Sequence, residues 1–220
     1  MPVFKFCRAP LRAGWLRRVL PKAAFLYLNR NPDDLHRSYW SHGGATNYFS
    51  VQYAAVLLMF RRHPRWPSAA AGLLGPESDA LPEAMDALAA LHQAYRLCRD
   101  KGEQFSRDLT LLFWVHALLD NLRAGIDIHD YDQLVDDPRG LGTLLALCQS
   151  RLGLVPNLRP PRRTPQLDPG GEVVDPAFAR GVAADLGPEG VAELLAAKER
   201  LHARSVQVLH ALFASDPRQG

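Results

Sequence analysis

Apolar residues fall into two kinds of run along the chain: short ones without a helical period and longer ones with it. The opening PVFKF predicts a short strand. Leu11, Trp15, Leu16, Val19 and Leu20 recur at helical spacing, predicting a helix over Leu11–Leu20 that Pro21 stops. AAFLYLN then forms a compact apolar run with no 3.6-residue period, bounded by a turn. That pattern predicts a strand buried on both faces, as in a parallel sheet. Asn31 follows as a helix N-cap, with Pro32 at the first helical position and Asp33 and Asp34 in the first turn. Strand, turn and a well-started helix make a βα unit, and such a helix start favours an anion.

Further helices are predicted over Asn47–Arg62, Pro82–Lys101 and Ser106–Arg123, the first two joined by the Pro- and Gly-rich HPRWPSAAAGLLGPESDALP. GIDIHDY predicts a second parallel strand, so that Phe25–Leu28 lies beside Ile126–Ile128. DPRGLGTLLALCQSRLGL predicts the next helix. VPNLRPPRRTPQLDPGGE is a loop dense in Pro and Arg, and helices over Asp175–Leu186 and Pro188–Ser215 end the chain. The expected fold is α/β, a small parallel sheet flanked by many helices. An α/β core over 1–154, a Pro/Arg-rich loop over 155–173 and C-terminal helices over 174–220, packing on the core, divide the chain.

Composition narrows the class without naming a function. The chain has 220 residues, 47% hydrophobic and 22% charged, enough to bury a core without disulfides or metals. A net charge of +3 sets up no strong field for polyanions. Of 26 basic residues only four are Lys (Lys5, Lys22, Lys101 and Lys198), and the remaining Arg side chains carry forked donors suited to phosphate and sulfate. Those arginines are scattered among acidic residues and no recognition-helix motif accompanies them, so nucleic acid is not an expected partner. Cys7, Cys98 and Cys148 stand far apart in no metal-type spacing and suit a reducing compartment. The eight His form no metal-type set either, so no metal is expected. No secretory leader is evident, and the longest apolar stretch, Val51–Phe60, is too short to span a bilayer. The expectation is a cytoplasmic protein without a membrane partner.

The most informative segment is FLYLNRNPDDLHRSYW. Arg30 follows the strand and Ser38 lies eight residues later on the next helix. Ligands of open α/β sheets bind at the carboxyl ends of strands, and an Arg fork and a Ser hydroxyl there suit one phosphate. At these residues the chain resembles the sulfotransferase superfamily, whose signature is a strand ending in Arg, then Asp or Asn, Pro, and Ser eight residues after the Arg. Arg30, Asn31, Pro32 and Ser38 match it position for position, and Tyr39 follows. The resemblance implies a P-loop-like sulfotransferase fold in which Arg30 and Ser38 hold the 3′-phosphate of the donor 3′-phosphoadenosine 5′-phosphosulfate (PAPS).

A second stretch, IHDYDQLVDDPRGLGTLLALCQSRLGL, is similar to a later part of the same family. Tyr131, Leu134, Asp137, Pro138 and the LGL at Leu152–Leu154 fit, whereas Asp132 and Gln133 depart from the usual acidic pair. The resemblance implies either that Tyr131 packs beside the cofactor's adenine or that it is a core tyrosine. A third match is KFCR, by which Lys5 and Arg8 face the transferring sulfuryl group or an acidic acceptor, or form a solvated basic turn. Arg159, Arg162 and Arg163 are either a loop closing over the cofactor's phosphates, as in some relatives, or a plain surface loop. His42 is the histidine nearest the proposed site and the candidate base toward an acceptor hydroxyl.

The resemblance covers residues 3–154 and lacks one part. The family's Gly-rich loop for the 5′-phosphosulfate normally precedes this point, and SHGGATNY, which follows a helix rather than a strand, does not replace it. The expectation is an N-terminally truncated relative whose short form self-associates through the exposed sheet edge. Two functions follow from the resemblance. One is transfer of a sulfuryl group from PAPS to a hydroxyl or amine of a small-molecule or carbohydrate acceptor. The other is a degenerate, non-catalytic nucleotide-binding or interaction module. Trp40, Tyr48, Phe49, Tyr53 and Trp66 either line an acceptor pocket or pack.

Overall fold

The computed structural model describes residues 12–63, 67–82, 85–136, 138–153 and 174–213. In chain order these form α1 (Ala13–Val19), β1 (Leu26–Asn29), α2 (Pro32–Trp40), α3 (Tyr48–Phe60), α4 (Ser68–Leu74), α5 (Ala87–Arg123), β2 (Asp127–Asp130), α6 (Tyr131–Asp136), α7 (Pro138–Leu152), α8 (Pro176–Ala196) and α9 (Ala203–Phe213). Among the described residues the chain is mostly helical with a two-stranded parallel sheet, and so broadly α/β. The chain divides into two compact units, one from residues 1–31, 116–172 and 192–207, the other from 32–115, 173–191 and 208–220.

The sheet belongs to the first unit. β1 pairs with β2 in parallel, Leu26 opposite Asp127 and Asn29 opposite Asp130, so both short apolar runs form the strands their pattern predicts. Burial on both faces does not hold. Leu26 is 41% exposed and Leu28 47%, whereas Ile128 of β2 is buried. An apolar run without a period shows that a segment is apolar, and what packs on each face is decided elsewhere in the chain.

The turn into β2 explains the strand's start. Gly125 adopts φ +61, Ala124 N–H donates to the Asp120 carbonyl and Ile126 N–H to the Asn121 carbonyl, a glycine C-cap that ends α5. A Cβ on Gly125 would sit 2.9 Å from an Arg17 guanidinium nitrogen, which donates to the Ala124 and Gly125 carbonyls. α1 is fixed at its other end by Asp120, whose carboxylate accepts from Ala13 N–H at 2.8 Å. Only Ala13 and Leu16 of α1 are buried, and Trp15, Val19 and Leu20 stay exposed, although all three share its predicted apolar stripe.

In the second unit α3 starts at Asn47, whose carbonyl side chain accepts from Ser50 N–H while its amide donates to Gly44 O and Ser50 Oγ. Ser50 and Ser106 hydroxyls meet at 2.5 Å and Tyr53 stacks on Phe113 at 4.1 Å, which docks α3 on α5. The two helices expected over Pro82–Lys101 and Ser106–Arg123 are the two halves of α5, which meet at Gly102 (φ 72, ψ −150), and the first of them begins at Ala87 rather than Pro82. The break expected near Leu186 likewise falls inside α8, at Gly187, with Pro188 next.

Candidate functional site

The carboxyl ends of β1 and β2 carry a cluster of polar side chains in the first unit. Parallel strands in register bring Asn29, Arg30, Asp130 and Tyr131 to one edge, where a side chain from each strand end meets one from the other. The guanidinium of Arg30, a half-buried residue, lies over the Tyr131 ring, 5.3 Å from its centroid, where the ring's negative face attracts it. The resemblance picked out both residues from separate motifs, and the fold joins them.

Beneath that pair is a buried network. Asn29 Nδ2 donates to Asp130 Oδ2 at 2.8 Å, Ser205 Oγ to the same oxygen at 3.3 Å, and Asp132 N–H to Asp130 Oδ1 at 3.0 Å. Asn29, Asp130 and Ser205 are almost wholly buried, so the Asp130 carboxylate is compensated by three donors rather than by water. Asp132 in turn accepts from Asn31 N–H at 3.0 Å. A carboxylate therefore occupies the amide at the start of the helix that an anion would seek.

Ser38 and His42 belong to the second unit. Ser38 is half-buried within α2, and its carbonyl accepts from Ser41 Oγ at 3.0 Å and from His42 Nδ1 at 2.6 Å. With Nδ1–H directed at a carbonyl, the basic lone pair of the neutral imidazole lies on Nε2, and the ring is exposed. At the start of α2, Asp33 accepts from Arg107 Nε at 3.2 Å, so the carboxylate predicted to favour the helix dipole also forms an ion pair. Of the aromatic candidates, Phe49 stacks on Tyr39 at 3.8 Å, Tyr53 stacks on Phe113 and Trp40 lies tilted against His36, so these three pack, while Tyr48 meets Phe49 edge-on and remains 51% exposed. Lys5, Arg8, Arg162, Arg163 and Trp66 lie outside the described residues, as does Cys7.

Sequence reasoning did not single out Asn29, Asp130 or Ser205. A polar residue closing each apolar strand was the available signal for the first two. Ser205 lies 75 residues from Asp130 and carried none. Among the described residues no group of three or more His, Cys, Asp or Glu is arranged to hold a metal, and no helix is long and apolar enough to cross a membrane. No family model, curated protein or solved structure matches the chain.

Proposed function

We propose that the chain binds the 3′-phosphate of PAPS through Arg30 and takes part in sulfuryl transfer to a hydroxyl or amine. The observation that supports this reading is Arg30 at the carboxyl end of β1, held over the Tyr131 ring at the matching end of β2. A guanidinium oriented by an aromatic face loses less freedom on meeting a phosphate than one on a free stem. In the reaction the bond from sulfur to the 5′-phosphate oxygen breaks, sulfur bonds to the acceptor oxygen or nitrogen, and the acceptor's proton passes to a base.

Titration calorimetry with adenosine 3′,5′-bisphosphate tests the binding step. Arg30→Ala should weaken binding by about 1.5–3 kcal/mol, the range for a hydrogen bond to a charged group. Equal affinities for wild type and Arg30→Ala would remove Arg30 from the site, and no binding to wild type would remove the nucleotide.

A second reading, a nucleotide-binding module without turnover, is favoured by the carboxylates of Asp130 and Asp132 at the same edge. With carboxylates rather than further donors beside Arg30, this edge offers a hold for one phosphate and no group to stabilise charge developing on the 5′-phosphate. Transfer of labelled sulfate from PAPS to a panel of hydroxyl and amine acceptors separates the two: binding without transfer supports the second.

A further inference from the structure

The first unit contains a cavity of about 370 Å³ that is lined by Ile128, His129 and Asp130 of β2, Gln133 and Leu134 of α6, Gly140 and Thr143 of α7, and Arg200. Neither Arg30 nor Tyr131 lines it, so it is separate from the proposed nucleotide site. Its volume falls in the range of small-molecule sites. Ile128 and Leu134 are buried and supply an apolar floor, while Gln133, Thr143 and Arg200 are exposed at its mouth.

The polar groups at that mouth differ in what they have left to offer. Thr143 Oγ1 donates to the Arg139 carbonyl at 3.0 Å, so its hydrogen is committed and only acceptor capacity remains. Asp130 already receives Asn29, Ser205 and the Asp132 amide. Arg200 closes the short 3₁₀ turn Ala197–Arg200, which touches β2 and is anchored on either side by the buried Ala197 and Leu201. Among the described residues no carboxylate pairs with its guanidinium. A placed cationic fork and the Gln133 amide therefore stand over an apolar floor, which is the complement of an oxyanion carried on an apolar body.

We propose that this cavity binds a small carboxylate with a flat apolar body, its carboxylate on Arg200 and Gln133 and its body against Ile128 and Leu134. The probes are 2-naphthoate, its neutral analogue 2-naphthamide, and inorganic sulfate, each titrated into the full chain and followed by calorimetry and by backbone amide shifts. Naphthoate should bind saturably and shift the amides of residues 128–134, with naphthamide at least tenfold weaker and sulfate weaker still. Arg200→Gln should cost about tenfold or more in naphthoate affinity. Thr143→Phe, which fills the mouth from an exposed helix position, should abolish binding, and Arg30→Ala should leave it unchanged. Both pocket variants are first checked for native circular dichroism, and because Arg200 is exposed, Arg200→Gln keeps the test usable if Thr143→Phe does not fold. Equal binding of naphthamide would overturn the charge recognition. Full affinity in Arg200→Gln, shifts confined to residues outside the cavity, or no saturable binding would each overturn the site.

Discussion

The side-chain amide of Asn29 donates to the carboxylate of Asp130 at 2.8 Å, joining the last residues of β1 and β2 through a bond that is almost entirely buried. Backbone pairing alone leaves two short parallel strands marginal. Asp130 adds two further acceptor contacts, to Ser205 Oγ and the Asp132 amide. Truncation to Asp130→Ala would strand these donors in a site without water, which costs about 1–3 kcal/mol for each group left unsatisfied. Asp130→Ala should therefore lower the urea unfolding free energy by at least about 3 kcal/mol. Asn29→Ala, which removes one donor of three, should cost less, and the two losses should not add in the double variant. Additive losses would mean that the two side chains do not act as a pair.

Asp108 supplies a pH dependence. It is 7% exposed, and burial, reinforced by the charge of Asp175, pushes its carboxyl up to about 6 against the opposing pull of the Gln104 hydrogen bond and Arg107. The folded value lies above the unfolded one of 3.8, so the folded state holds the proton more tightly between them. The stability this provides is complete at low pH and is lost as pH rises through that window. Asp108→Asn keeps an acceptor for Gln104 and removes the charge, so it should stabilise the protein by about 3 kcal/mol at pH 7 and by about 0.5 kcal/mol near pH 4. Urea unfolding at both pH values checks this, and the same change at each would exclude Asp108 as the cause.

Gly102 is the one residue of α5 outside helical geometry, at φ 72 and ψ −150, a region that only glycine enters at low cost. Nothing lies within 4 Å of where a Cβ would stand, so substitution meets backbone strain and no clash. Gly102→Ala should cost about 1–3 kcal/mol in thermal or urea unfolding. A neutral or stabilising result would mean that the helix runs through this point unbroken.

The sequence made some of this legible and not the rest, for physical reasons. Both strands were readable because each is a short apolar run closed by turn residues, and their pairing followed from the parallel pattern. The exposure of Leu26 and Leu28 was not readable, because sidedness depends on partners far along the chain. The helices expected to end at Lys101 and to begin at Ser106 leave a gap that includes Gly102, but the sequence pattern does not distinguish one glycine with positive φ from a four-residue loop. Arg30 and Tyr131 were each singled out from their motifs. Their stacking, across 101 residues of chain, and the Asp130 network beneath it needed the strand register, which no local pattern encodes.

Asp185 illustrates a cap supplied from outside a helix. α4 begins after Pro67, which has no side-chain donor or acceptor, and the Asp185 carboxylate of α8 accepts instead from Ser68 N–H, Ser68 Oγ and Ala69 N–H at 2.6–2.7 Å. This satisfies two amides at the helix start and places negative charge at the positive end of the helix. Asp185→Ala should destabilise the protein by about 1–2 kcal/mol, the usual loss for an N-cap. Asp185→Asn should cost less, because it keeps one acceptor. Identical losses would assign the effect to charge alone.

Asp132 provides the sharpest test of the nucleotide reading, because its carboxylate occupies the Asn31 amide beside Arg30. A 3′-phosphate brought to Arg30 would meet this negative charge, and like charges a few ångströms apart at a protein surface repel by roughly a few kcal/mol before screening. Asp132→Asn removes the charge while its remaining carbonyl oxygen can still accept from Asn31 N–H, so the start of α2 should hold. On the proposed reading, adenosine 3′,5′-bisphosphate should bind Asp132→Asn several-fold more tightly than wild type, and the gain should shrink as salt screens the carboxylate. The gain should also vanish in the Arg30→Ala background, where the phosphate has lost its anchor. Weaker binding by Asp132→Asn, with unfolding free energy unchanged, would mean that the carboxylate orients the site rather than opposing the ligand. Unchanged binding in every background would mean that the phosphate does not sit at this edge, and Arg30 would then not be its anchor.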